Sequence, residues 1–86
     1  MPRIAQFYGI AIYMYYEDHP PPHVHAIYGE FEAVIGIQSE EVLQGSLPRR
    51  ARSLVLDWVE LHRQELLDNW DLAEARRPLT KVPPLK

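Results

Sequence analysis

The sequence predicts an α+β domain: an antiparallel meander of three to four strands, then one long or bent helical segment. Three observations carry that expectation. β-branched and aromatic residues dominate the first half, and Gly and Pro clusters cut that half into short runs. From Leu47 to Ala75 the apolar residues recur at near-helical spacing, with no Gly or Pro after Pro48.

The first strand is expected over Gly9 to Tyr16, with Ile10, Ile12, Met14 and Tyr16 on one face and Ala11, Tyr13 and Tyr15 on the other. Pro20, Pro21 and Pro22 then forbid a strand interior and make Glu17 to Pro22 a stiff connection. His23 to Tyr28 and Phe31 to Ile37 read as a hairpin about Gly29-Glu30, where a leading glycine suits a type II′ turn. A two-residue turn sets Tyr28 opposite Phe31, Ala26 opposite Ala33 and Val24 opposite Ile35. Those residues form an apolar face, expected beneath the helix. On the other face Ile27 lies opposite Glu32, His25 opposite Val34 and His23 opposite Gly36, which leaves space for a ligand. Gln38 to Glu41 reads as a turn and Val42 to Gln44 as a short last strand.

Ser46 is the expected helix cap, and Pro48 is tolerated in the first turn. The helical stretch 47–75 would be about 43 Å long, whereas strands of this size span only about 23 Å. Its second half therefore overhangs the sheet and offers Leu66, Leu67 and Trp70 to a second copy or a partner, unless the chain bends near His62 to Gln64. Trp58 is expected to pack on the sheet. After Pro78 the tail, 78–86, reads as extended and mobile.

The whole chain, 1–86, reads as a single domain, because 86 residues leave no room for a second core. Apolar residues at 47% and charged residues at 24% are globular proportions. With no cysteine there is no disulfide and no thiolate chemistry, which fits a cytoplasmic home. No apolar run is long enough to span a membrane. The net charge of −3, with no Lys or Arg between Ile4 and Arg49, argues against nucleic acid on the tyrosine-rich sheet.

The segment Asp18-His19-Pro20-Pro21-Pro22-His23-Val24-His25 sets three of the four histidines beside a carboxylate. Histidines at i and i+2 on a strand point the same way, so His23 and His25 can share one divalent transition metal such as zinc, or act as acid and base. His19 and Asp18 are the further candidate ligands. Glu32, diagonal to His25, is a candidate to orient its ring and completes a catalytic set of His23, His25 and Glu32. The spacing matches no standard zinc signature. The competing explanation is a rigid proline turn beside amphipathic strand histidines. Arg49, Arg50 and Arg52 cluster at a helix start, where the dipole disfavours them, and fit either a phosphate or acidic partner or a solvated surface.

The chain also resembles a small bacterial family of unknown function, DUF4160. The resemblance rests on Phe7-Tyr8-Gly9-Ile10, Met14-Tyr15-Tyr16, Asp18-His19, Pro21-Pro22-His23-Val24-His25-Ala26, Tyr28-Gly29-Glu30, Leu47-Pro48, Trp58, Leu61-His62-Arg63, Glu65-Leu66 and Trp70. Pro20 and Val24 depart from the pattern without changing the histidine spacing. The resemblance implies a compact domain, often encoded beside another small domain in an arrangement like toxin and antitoxin pairs. It carries over no catalytic residue.

Two readings follow. The first is an interaction module, one half of a toxin–antitoxin-like operon pair, that binds the neighbouring gene's product or forms a homo-oligomer through Leu66, Leu67, Trp70, Arg49, Arg50 and Arg52. The alternative is a small hydrolase or ribonuclease with a His-x-His site, with or without a metal.

Overall fold

Tyr8 and Gly9, both at positive φ (49° and 78°), fold the N-terminal segment into a tight turn, and this turn adds a strand that the sequence reading left out. β1 (Arg3–Phe7) pairs antiparallel with β2 (Ile10–Tyr13), the middle of the expected first strand. A register shift between Arg3 and Ala5 lets both Ile4 and Ala5 enter the core, so β1 lacks the alternation that would have announced it. The structure, a computed structural model, describes residues 2–86; Met1, the start of the expected single domain, lies outside the described residues.

β3 (His23–Tyr28), β4 (Phe31–Gly36) and β5 (Val42–Gly45) complete a five-stranded antiparallel meander in the order β1-β2-β3-β4-β5, followed by two helices. The fold is α+β. The β3–β4 register has Tyr28 opposite Phe31, Val24 opposite Ile35 and His23 opposite Gly36, as the two-residue turn requires. Val24, Ala26, Ala33 and Ile35 are buried with Ile10 and Ile12 of β2. Phe31 is a correction: it lies at the tip of the hairpin and is 42% exposed.

Ser46 does not cap the helix. Its amide donates to the Glu32 carbonyl at 3.2 Å, which keeps it with the sheet, and Pro48 occupies the N-cap position with no side-chain cap. α1 (Arg49–Leu61) lays Ala51, Val55, Trp58 and Val59 on the sheet, with the Trp58 ring 5.2 Å from that of Phe7.

The helical segment breaks at His62, and α2 (Arg63–Glu74) buries Leu66, Asn69, Trp70 and Ala73. Leu66 and Trp70 are buried in their own chain and Leu67 packs partly against the core, so the overhanging face does not exist. Three contacts hold the bend without Gly or Pro. His62 Nδ1 lies 2.6 Å from Glu65, and Arg63 pairs with Glu40 while donating to the Ile37 carbonyl. Burying each large apolar side chain contributes about 1.5–3 kcal/mol, more than the few helical hydrogen bonds lost at the break.

The tail is extended but docked, contrary to its expected mobility. Asn69, itself buried, donates to the Thr80 carbonyl and accepts from the Thr80 amide; Val82 donates to the Ile4 carbonyl, and Trp58 Nε1 donates to the Pro83 carbonyl.

Candidate metal centre

His23 and His25 reach one side of β3 because they are two residues apart on a strand, and the proline segment returns Asp18 to them. A single oxygen, Asp18 Oδ2, lies 2.9 Å from His23 Nε2 and 3.0 Å from His25 Nε2. The other oxygen, Oδ1, accepts the His19 amide at 2.8 Å, which fixes the carboxylate plane. The Pro20–Pro21 bond is cis.

One ring nitrogen of His23 has a fixed role. Its Nδ1 lies 2.8 Å from the Pro21 carbonyl, an acceptor only, so Nδ1 carries a proton and donates it. In a neutral ring Nε2 then presents a lone pair to the Asp18 carboxylate, and two electron-rich atoms at 2.9 Å repel. The contact is favourable only with a positive charge there, either a second proton on the ring or a cation shared with the carboxylate. Trp70 of α2 packs on His23, ring centroids 5.1 Å apart, and shields it from water.

His25 is arranged differently. Its Nδ1 is buried without a hydrogen-bond partner, 3.7 Å from Glu32 Oε2, and Glu32 is exposed enough to close that gap. Tyr15 meets the His25 ring edge-on at 4.4 Å and stacks on Tyr13. Burial raises the Tyr15 phenol pKa, and the charge of Glu32 adds to the rise. For Asp18, burial works to raise the pKa, but hydrogen bonds from His25, the His19 amide and His23 outweigh it and hold the carboxyl below its usual value.

Asp18, His23 and His25 each offer one ligand atom, and these atoms lie within 4.8 Å of one another. Two imidazoles and one carboxylate form a donor set suited to zinc-class ions. The Pro21 carbonyl on His23 and Glu32 beside His25 are the outer partners such a set uses. His19 contributes its amide, while the residue itself is exposed and outside this group. The space expected over Gly36 is filled, since a Cβ there would collide with Ser39 Oγ. A groove of about 280 Å³ instead opens beside His25, lined by Glu32, Val34, Gln44 and Gly45. Tyr15 was not read as a site residue, and Trp70 was read only as a partner contact. Tyr15 was legible in principle, because the Tyr13–His25 pairing of β2 and β3 brings it to His25.

The family model of a domain of unknown function, DUF4160, matches residues 9–71. The chain belongs to the DUF4160 family. No curated protein and no solved structure matches it. In this DUF4160 domain the matched stretch contains Asp18, His23, His25 and Glu32, whereas β1 and the tail lie outside it. Among the described residues, no helix is long and apolar enough to cross a membrane.

Proposed function

We propose that this DUF4160 domain is a small metal-dependent hydrolase, with Asp18, His23 and His25 as ligands of a divalent transition ion such as zinc. One observation carries the reading: His23 donates Nδ1–H to the Pro21 carbonyl, so Nε2, 2.9 Å from Asp18 Oδ2, is the ring atom left to share a cation with the carboxylate. These three residues would hold the ion, and a zinc ion bound there would supply an activated water for hydrolysis. Glu32, 3.7 Å from His25 Nδ1, would accept its Nδ1–H by a small rotation and so commit Nε2 to the ion, and the groove beside His25 would receive the substrate. The test is hydrolysis of an activated phosphodiester and an activated ester by untagged protein. Activity is expected to vanish with a chelator, return with zinc, and be absent in Asp18→Asn. Hydrolysis that survives metal removal, or that Asp18→Asn retains, contradicts the reading.

A second reading, a module that binds the product of a neighbouring gene, no longer draws on Leu66 and Trp70, which are buried. It draws on Arg49, Arg50 and Arg52, which are exposed and make no ion pair among the described residues.

A further inference from the structure

We infer that the groove between the β1–β2 turn and the first turn of α1 binds an acidic segment of a partner protein, anchored by an apolar side chain. The inference rests on the partner-binding reading and is independent of the metal. The groove, about 240 Å³, is lined by Tyr8, Ile10, Tyr28, Pro48, Arg50 and Leu54.

Three unfavourable features meet at this groove. Tyr8 takes φ 49° in a turn where Gly or Asn fits without strain, and it is 55% exposed. Tyr28, whose ring packs over Gly9, is also exposed. The first turn of α1 has no acidic residue and no side-chain cap, yet it carries Arg49, Arg50 and Arg52 against the helix dipole. None of these choices helps the free domain fold. Together they make an aromatic and aliphatic slot with the unpaired Arg50 guanidinium in its wall, complementary in charge to a carboxylate and in surface to a leucine or phenylalanine.

The apolar floor, which a leucine or phenylalanine fills and a phosphate backbone does not, favours a protein segment over a nucleic acid. Tyr28 and His23 stand at opposite ends of β3, roughly 16 Å apart along the strand, so variants at the groove leave the Asp18 cluster intact.

The test is fluorescence anisotropy with a labelled peptide of glutamates flanking a leucine–phenylalanine pair. Its counterpart with glutamines, labelled oligouridylate and phosphatidylserine vesicles are run in parallel. The glutamate peptide is expected to bind, more weakly as salt rises, and to lose at least about tenfold in affinity with Arg50→Glu. Tyr8→Asn, which suits the turn, is expected to fold at least as stably as the wild type and to lose the peptide as well. Equal binding of the glutamine peptide, unchanged binding by Arg50→Glu, no binding at about 1 mM, or binding of oligouridylate or vesicles alone would overturn the inference. A neighbouring-gene product that binds wild type and Arg50→Glu alike would keep the partner-binding reading and remove this groove from it.

Discussion

The Pro21 carbonyl holds the Nδ1–H of His23 at 2.8 Å. This hydrogen bond decides which face of the imidazole is available, because it leaves only Nε2 to meet Asp18. A residue that looks like one more strand histidine is thereby committed to a charged partner.

Asp18 should control the acid limb of stability. Its carboxyl pKa is lowered in the folded state, because hydrogen bonds outweigh burial. A lowered carboxyl stabilises the fold at pH above the ordinary carboxylate range, and that stability is lost as pH falls through the folded value. Thermal melts between about pH 6 and pH 2 should therefore show a shallower acid decline for Asp18→Asn than for wild type. Parallel declines would show that the carboxyl contributes nothing.

Trp58 is fully buried against the sheet. Trp58→Ala should cost about 3–5 kcal/mol, read as a large fall in melting temperature by circular dichroism. A small domain would be close to unfolding at that loss. A melting temperature that hardly moves would place the ring outside the core.

Asn69 latches the tail through the backbone amide and carbonyl of Thr80. Asn69→Ala should cost about 1–3 kcal/mol, since buried backbone groups lose their partner. Hydrogen exchange separates this from general loosening. The Val82 amide should lose protection while the Ile12 amide in the central sheet keeps it.

Leu66 faces its own core with no exposure. Leu66→Asp should unfold the chain, because an unpaired buried carboxylate costs several kcal/mol. A variant that stayed folded and only changed its sedimentation would restore an intermolecular role for this face.

The β3–β4 hairpin was legible because one turn glycine and a period-two pattern fix both faces, and its register holds residue by residue. The histidine face followed from it, with Asp18 and Glu32 as neighbours. β1 was not legible, since its bulge removes the alternation and no Gly–Pro cluster precedes it. The break at His62 was legible only as the alternative to a continuous helix, since no Gly or Pro marks it. It depends on Arg63 reaching Ile37 and Glu40, residues more than twenty positions earlier, and on Leu66 and Trp70 finding the core. The docked tail is equally non-local, held by Asn69, Ile4 and Trp58.

The central claim is that Asp18, His23 and His25 hold a metal ion, and calorimetric titration of untagged, chelator-treated protein with zinc tests it most directly. The wild type should bind one ion per chain, and His25→Ala and Asp18→Asn should each lose most of the affinity. Glu32→Gln should bind about 10- to 100-fold more weakly, as removal of an outer partner does. No binding by the wild type, or binding that His25→Ala leaves unchanged, would contradict the account.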